Sequence, residues 1–382
     1  MSDRPDSSPP RSARFVATAY RVQTRLNAVL SDRARRRGWT TAALGYPGYA
    51  AQGRARVRGR LLLAPAGTDP HARADIPGWR RLLTLEQASG EIDLSLGATR
   101  VRARADEAGL IDVTVPVELP PGRIEAFLHV EGRPPVPAPV HVASPDATRG
   151  IVCDIDDTVW ITGIRHPLRA AWRTFAGNGS TRRPVEGMAS LLSRLVEDSP
   201  NAPVVYLSNG PWNLAGTVAD FLDRHGFPPG ALLLTDWGIS PRALFRSGTA
   251  HKRGALERLA AEVPGVDWVL IGDDGEHDPQ IYRDFARAHP QQVAAIALRT
   301  VAPIGTAAPE TEETVGAIPI FRAGDGTALA QGLVRSGLLP GHRADDAEPL
   351  SSSAPEAADA DDSARGAAPL PPTGRAFDRR RR

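Results

Sequence analysis

Three apolar runs between residues 151 and 271 are followed by polar side chains whose types could do chemistry. These polar residues are Asp154, Asp156, Ser208, Asp273 and Asp278. Each run is typical of a buried strand, and the carboxyl ends of parallel strands meet at one edge of a sheet. We therefore expect four carboxylates and one hydroxyl to converge on a single site.

Carboxylates crowded at one edge repel one another unless a cation lies between them. Hard oxygen ligands with open positions suit Mg²⁺, which binds one or two carboxylates and keeps positions for water and substrate oxygens. A metal ion, a free carboxylate and a lysine together suit phosphoryl transfer, with the carboxylate attacking phosphorus to give an acyl phosphate. A second carboxylate, two residues further on, could protonate the leaving alkoxide and then activate water.

The cations of the chain single out Lys252. There are 46 basic residues, and every one except Lys252 is arginine. A planar guanidinium does not replace a compact ammonium where the geometry is tight, so Lys252 is a candidate site residue. The alternative is a surface lysine retained by chance. Lys252 also follows Thr249, a predicted helix cap, and the helix dipole disfavours a cation there unless an anion is bound.

The elements that must position these residues alternate between strand and helix from Gly150 onward. The predicted strands are Ile151–Cys153, Val204–Leu207, Leu232–Leu234, Trp268–Ile271, Val293–Leu298 and Ala317–Phe321. The predicted helices are Met188–Val196, Leu214–His225, Leu256–Val263, Ile281–Ala288 and Ala328–Arg335. This alternation predicts an α/β domain over residues 148–340, with a parallel sheet covered by helices on both faces.

A different pattern precedes this domain. Short runs of β character separated by turn signals predict a small antiparallel β-sandwich-like domain over residues 44–145. The runs are Val57–Leu63, Glu91–Leu96, Thr99–Ala103, Ile111–Val117, Ile124–Val130 and Pro137–Val142. Gly45–Tyr49 is typical of a turn, and one helix is predicted near Trp79–Gln87. Nothing in this region resembles a catalytic constellation.

The two ends of the chain differ from both domains. Residues 1–13 and 341–382 have the polar, proline-containing composition of disordered segments. Residues 14–37, within a first segment 1–43, predict a helix, and eight arginines face one acid between Arg11 and Arg37. Such a basic amphipathic helix could lie on an anionic membrane surface, or it could dock on its own domain with a solvated basic face.

Composition excludes several classes of protein. Cys153 is the only cysteine, so an intramolecular disulfide and a cysteine-built zinc site are excluded. The net charge of +2 gives no argument for nucleic acid as a partner. There is no apolar run of about 18 residues and no apolar signal-peptide core at the N-terminus, so we expect a cytoplasmic protein.

In order and spacing, the polar groups resemble the four motifs of the haloacid dehalogenase (HAD) superfamily. Asp154–Thr158 resembles the first motif, DxDx[TV], and Ser208 the second. Lys252 resembles the third, and Gly272-Asp273 with Asp278 the fourth. The resemblance implies a three-layer Rossmannoid α/β fold and an aspartyl-phosphate mechanism.

The resemblance also implies a role for each residue. The implied catalytic residues are Asp154, Asp156, Ser208 and Lys252, and the implied Mg²⁺ ligands are Asp154, Asp156, Asp273 and Asp278. Asp154 would be the nucleophile, and Asp156 the general acid and base with its backbone carbonyl at the metal. Ser208 would hydrogen-bond the transferring phosphoryl group. Lys252 would neutralise that group from a position beside Asp273, with Asp278 supporting the metal directly or through water.

A narrower resemblance covers roughly residues 150–305. The strings Ser208–Trp212, Gly226–Gly230, His251-Lys252 and Gly272–Tyr282 resemble the fungal actin-patch phosphatidate phosphatases and bacterial proteins that share their catalytic domain. This implies a Mg²⁺-dependent phosphatase acting on phosphatidate or a related lipid phosphate. Gly210 and Asp274 depart from the serine usual in that family, at the edge where substrate would be chosen.

The segments between the motifs are short. Neither Val159–Pro203 nor Ser208–Lys252 has room for a large cap domain, so we expect an open site suited to a bulky or membrane-embedded substrate. A phosphorylated lipid is the first expectation. The alternatives are a phosphatase acting on a phosphoprotein or nucleotide, and a non-catalytic protein that binds through its sandwich domain.

Some of these residues also have structural interpretations. Asp278 followed by Pro279 is a helix N-cap signal, whatever else the aspartate does. Trp212 is expected in the core. His251 and His277 are expected to pack or form hydrogen bonds rather than bind a metal.

Overall fold

The computed structural model of this chain describes residues 29–67, 85–161, 182–197, 199–235, 248–301 and 311–341. Predictions for residues 1–28, for most of Trp79–Gln87 and for the tail after 341 lie outside these ranges. The described residues up to Pro340 belong to one compact unit. Residues 29–36 are helical, in agreement with the end of the helix predicted over 14–37.

The first sheet contains eight strands joined in one hydrogen-bonded network. They are β1 (Trp39–Ala51), β2 (Arg54–Pro65), β3 (Leu85–Glu86), β4 (Glu91–Leu96), β5 (Thr99–Arg104), β6 (Leu110–Pro116), β7 (Gly122–His129) and β8 (Val136–Val142). Their order is β3-β2-β1-β8-β7-β4-β5, and β6 pairs with β2. The β1–β8 pair is parallel, where the sequence predicted an antiparallel sandwich.

Two local predictions in this sheet are wrong. Gly45–Tyr49 does not reverse the chain but lies inside β1, whose register with β2 shifts between Tyr46 and Tyr49. A Cβ atom at Gly45 would lie 2.0 Å from the carbonyl oxygen of Pro137 in β8. The glycine therefore marks a bulge and a close approach of strands rather than a turn. The described end of the predicted helix, Leu85–Glu86, is a strand.

The second sheet has seven strands, of which all but the last pair run parallel. They are β9 (Arg149–Asp154), β10 (Val204–Pro211), β11 (Ala231–Thr235), β12 (Asp267–Asp273), β13 (Val293–Arg299), β14 (Thr311–Val315) and β15 (Ile318–Ala323). The order is β11-β10-β9-β12-β13-β15-β14, and β14 is antiparallel to β15. The strand β14 was not predicted, because its sequence TEETV is polar.

Helices cover both faces of this sheet. They are α1 (Met188–Glu197), α2 (Ala215–Arg224), α3 (Gly248–Glu262), α4 (Asp278–Ala288) and α5 (Gly326–Arg335), and a 3₁₀ turn, Trp212–Leu214, precedes α2. Alternate residues of each strand point to opposite faces, so Cys153 packs with α1, α2 and α5 while Val152 packs with α3 and α4. The predicted α/β architecture is confirmed. Among the described residues no helix is both long and apolar enough to cross a membrane.

The two sheets pack directly against each other. Tyr46 of β1 stacks on Trp212, with ring centroids 4.9 Å apart, and its side chain belongs to the core beneath α1 and α2. Tyr49 contributes to the core on the opposite face and donates a hydrogen bond to Glu262. Because β1 supplies side chains to the cores of the second sheet, the two sheets are expected to unfold together.

The variant Tyr46→Ala tests this expectation. Tyr46 is 4% exposed, and truncating a large buried side chain costs about 3–5 kcal/mol. We expect calorimetry to show one transition, at a markedly lower temperature than in the wild type. Phe127→Ala, in β7 where the ring is 39% exposed, is the control and should shift the transition little. Two resolved transitions would contradict a shared core.

Candidate active site

The predicted site residues lie at adjacent strand ends. Asp154 ends β9 and Asp273 ends β12, the strand next to it in the sheet. Ser208 lies in β10, on the other side of β9. Lys252 comes from the second turn of α3, and Asp278 is the first residue of α4. The convergence expected from the sequence is therefore what the structure shows.

Lys252 lies between two carboxylates. Its Nζ is 2.6 Å from Oδ1 of Asp154 and 2.5 Å from Oδ1 of Asp278, and the residue is only 1% exposed. Burial alone would lower the pKa of Lys252, but the attraction of Asp154 and Asp278 outweighs burial and raises that pKa above its usual value. The side chain is thus a fixed cation.

Asp154, Asp273 and Asp278 form a buried cluster in which one oxygen of each lies within 4.8 Å of the others. Burial raises the pKa of Asp154 well above its usual value. Burial and the nearby Asp278 raise the pKa of Asp273 to about 7. Three carboxylates against one ammonium leave excess negative charge, which a cation would neutralise.

Asp278 supplies a further sign of a cation site. Its Oδ2 is buried and accepts no hydrogen bond from any residue that the structure describes. An unpartnered buried carboxylate oxygen is costly unless an ion or water satisfies it. Gly272 makes room for this side chain, since a Cβ atom there would lie 2.6 Å from Oδ2 of Asp278. These residues could therefore hold a metal ion.

Asp156 lies outside this cluster and has its own partners. Ser208 donates a hydrogen bond to one carboxylate oxygen at 2.9 Å, and Trp160 Nε1 donates to the other at 3.1 Å. Burial raises the pKa of Asp156, and these two hydrogen bonds oppose that shift. Ser208 Oγ in turn accepts from the backbone N–H of Gly210 at 2.9 Å, so its hydroxyl hydrogen points to Asp156.

The loop after β9 adopts an unusual backbone conformation. Asp157 has a φ of 54°, in the left-handed region that few non-glycine residues adopt. Nη1 of Arg299 donates to its carbonyl oxygen at 2.6 Å, and Nε of the same residue donates to the carbonyl oxygen of Gly324. Thr158 donates to Asp154 at 3.3 Å. This loop is therefore held both from β13 and from within.

Two predicted details are wrong. His277, not Asp278, occupies the cap position of α4, and no side-chain cap bond forms there, because Asp278 turns to Lys252 instead. Helix α3 begins at Gly248, so Thr249 lies inside it rather than capping it. The carboxylates that Lys252 contacts directly are Asp154 and Asp278, and Asp273 lies in the same cluster.

Sequence reasoning missed the residues that support the site. Trp160 is 1% exposed and orients Asp156. The guanidinium of Arg182 lies over the Trp160 ring, 3.9 Å from its centroid. No local pattern marks Arg299 or Arg182, because both act across the fold. Trp212 is buried as expected, and His251 is partly buried, which lowers its pKa to about 4.

Comparison with known proteins places the site in a class. Residues 149–300 match the family model described as "Phosphatidate phosphatase APP1, catalytic domain". All six predicted site residues fall inside this region. This match confirms the resemblance drawn from the motifs. The matched domain is the catalytic domain of a phosphatase. More particularly, residues 149–300 are similar to the catalytic domain of phosphatidate phosphatase APP1.

Two fungal relatives match the same part of the chain. An uncharacterized protein of Schizosaccharomyces pombe is 30% identical over 152 residues, which are 40% of this chain and 25% of the relative. Phosphatidate phosphatase APP1 of Saccharomyces cerevisiae is 26% identical over 167 residues, 44% of this chain and 28% of the relative. The chain thus spans about a quarter of the length of these relatives.

Likeness to solved structures is weak. A carbohydrate acetylesterase from Xanthomonas citri covers 76% of this chain and 73% of its own, at 10% identity and a TM-score of 0.29. At this TM-score the likeness indicates neither the fold nor the function of this chain.

Replacing Lys252 by arginine tests the geometry of the site. The change keeps the charge, but a planar forked guanidinium does not fit between Asp154 and Asp278. We expect phosphatase activity to fall by about tenfold or more, roughly 1.4 kcal/mol per factor of ten. Arg253→Lys makes the reverse exchange at the next, exposed position and should change little. Steady-state kinetics with thermal melts would measure both, and wild-type turnover by Lys252→Arg would contradict the assignment.

Proposed function

We propose that this protein is a Mg²⁺-dependent phosphomonoesterase of HAD type that works through an aspartyl-phosphate intermediate. Its substrate would be phosphatidate or a related lipid phosphate. The observation that carries the proposal is the buried pairing of Lys252 with Asp154 and Asp278, beside Asp273, inside the region matched by the family model. Residues 148–340 would be the phosphatase domain and residues 44–145 an accessory domain.

The metal ion would be held by Asp154, Asp273 and Asp278, with the backbone carbonyl of Asp156 as a further oxygen. Oxygen-only ligands and an excess of negative charge suit a hard divalent cation. When bound, the ion would withdraw negative charge from the phosphoryl oxygens. Its charge would also favour the ionised forms of Asp154 and Asp273, whose pKa values are raised in its absence.

The remaining chemistry belongs to the side chains of the chain. A carboxylate oxygen of Asp154 attacks phosphorus, and the bond to the alcohol oxygen breaks. Asp156, whose raised pKa suits a general acid, gives its proton to that oxygen and then takes one from the water that hydrolyses the aspartyl phosphate. Lys252 neutralises phosphoryl charge throughout, and Ser208 orients Asp156 and the phosphoryl group.

Two observations support a lipid as substrate. One relative is named a phosphatidate phosphatase, and the family model carries the same description. In the helix at residues 29–36, which precedes β1 in the chain, Val29 and Leu30 are 62% and 42% exposed, and Arg33, Arg35 and Arg36 are exposed as well. Apolar and cationic side chains on one short helix suit peripheral contact with an anionic membrane.

The substrate class is tested by comparing phosphate release from phosphatidate in mixed micelles with release from phosphopeptides, nucleotides and other soluble phosphomonoesters, with and without Mg²⁺. Preference for a soluble substrate would favour the alternative of a phosphoprotein or nucleotide phosphatase. Absence of release from every substrate would favour a non-catalytic protein that binds through its first sheet.

The nucleophile is tested by Asp154→Asn, which nearly keeps the size of the side chain but cannot attack phosphorus. We expect a folded protein without turnover. Asp156→Asn should also be inactive yet accumulate a phosphoenzyme, because attack needs Asp154 while hydrolysis needs the base. Asp157→Asn is the matched control, since asparagine adopts a positive φ readily, and should keep most activity. Near-wild-type turnover by Asp154→Asn would contradict the assignment of Asp154 as the nucleophile.

Membrane contact is tested by replacing Arg33, Arg35 and Arg36 with glutamine. Deleting residues 1–40 would be less informative, because β1 already begins at Trp39. We expect weaker binding to vesicles containing anionic lipid and unchanged turnover of a soluble substrate. The difference in binding should vanish at high salt, because the screening length falls from about 10 Å at about 0.1 M to about 3 Å at about 1 M. Glutamine at Arg100, Arg102 and Arg104, exposed on β5, is the control. Equal binding by both variants would mean that the helix is only an intramolecular support.

A further inference from the structure

Three arginines on one face of β2 lie at the boundary between the two sheets. They are Arg56, Arg58 and Arg60, at alternate positions of the strand, and Arg58 and Arg60 are 2% and 3% exposed. Burying a guanidinium is costly unless it is paired and hydrogen-bonded. The partners of these arginines therefore show what this face of the first sheet is fixed to.

Arg56 and Arg60 each pair with a residue of the first sheet and also contact a different element beside the second sheet. Arg56 pairs with Asp112 of its own sheet and with Glu262, the last residue of α3, each at 2.6 Å. Arg60 pairs with Glu86 at 3.0 Å and donates to the side-chain oxygen of Asn213. Arg60 thus reaches the 3₁₀ turn that directly follows β10.

The residue before Asn213 is also held by the first sheet. Trp212 is 4% exposed, lies against the ring of Tyr46, and has the guanidinium of Arg58 5.9 Å from its ring centroid. Arg58 in addition donates to the carbonyl oxygen of Leu232 at 3.4 Å. Both Trp212 and Asn213 are therefore fixed by side chains of β1 and β2.

The strand end before this turn is irregular. Leu207 pairs with Leu233 and Pro211 with Thr235, so Ser208, Asn209 and Gly210 together lie opposite one residue of β11. The hydroxyl of Thr235 is within hydrogen-bond distance of the carbonyl oxygens of Asn209 and Gly210, at 2.7 and 3.1 Å. A bulge of this kind depends on how its two ends are held.

We propose that Arg60 is a positioning residue for the phosphatase reaction, acting through Asn213 on Ser208. The regular part of β10 holds one end of the bulge, and the first sheet holds the other end through Arg60, Arg58 and Tyr46. The first sheet is then part of the structure that sets where the Ser208 hydroxyl lies relative to Asp156. The kinetic part of this inference rests on the proposed function.

The kinetic test uses Arg60→Met and Asn213→Ala in the full chain, with a soluble phosphomonoester as substrate. We expect kcat to fall by about tenfold with little change in KM, because small displacements of a catalytic group are expensive. Arg56→Met is the matched control: it lies on the same strand and face and contacts the second sheet, but it does not contact residues 208–214. It should remain within about twofold of wild type, the usual limit of additivity for separate sites.

A double-mutant cycle tests whether Arg60 affects the reaction through Ser208. In a Ser208→Ala background, Arg60→Met should change kcat by less than about twofold, because the group that it positions is gone. A full tenfold loss in that background, or an equal loss from Arg56→Met, would overturn the proposal and leave Arg60 a docking residue only.

Hydrogen exchange gives a readout that does not need activity. Arg60→Met should speed exchange in peptides covering residues 206–214 while leaving those of α1 unchanged. Unchanged exchange at 206–214 would overturn the proposal whatever the kinetics. Absence of phosphate release by the wild-type protein would instead overturn the proposed function. Hydrogen exchange at residues 206–214 would then be the test of whether Arg60 positions this segment.

Discussion

The ion pairs of Lys252 with Asp154 and Asp278 are the interaction on which the rest of the site depends. A buried ammonium is tolerated only with partners, and leaving one member of a buried pair alone costs about 3–5 kcal/mol. The pairs therefore fix the end of β9 and the starts of α3 and α4 relative to one another. They also leave Asp273 and the free oxygen of Asp278 as excess negative charge, which makes the same cluster a place for a divalent cation.

The sequence predicts the site well because its signals are local. Polar residues directly after apolar runs mark strand ends, so the convergence of Asp154, Ser208 and Asp273 follows from parallel topology alone. A lysine in a chain that otherwise uses arginine marks Lys252. The pairing of Lys252 with Asp278 was not predictable, because it depends on how the first turn of α4 is oriented. Asp278 has the same local signal whether it caps its helix or faces a cation.

The first sheet was predicted less well for a related reason. Its strands are marked by alternation, but glycine and proline in β1 signal either a turn or a bulge, and only the approach of β8 decides between them. The arginines of β2 also have no interpretation from composition, since arginine is the common cation of this chain. Their pairing with Glu262 and Asn213 depends on a surface that another part of the chain supplies. Contacts of this kind are invisible in any local window of sequence.

The parallel pairing of β1 with β8 has a consequence for how the chain folds during synthesis. β1 cannot pair with β8 until Val142 has been made, and Tyr46 and Arg58 then remain without Trp212 until some 70 residues later, counted from the sequence. During that interval an aromatic ring and a cationic face that are buried in the finished protein are exposed to solvent. Long-range pairing of this kind slows folding, so the nascent first sheet is the stage at which aggregation or chaperone binding would compete.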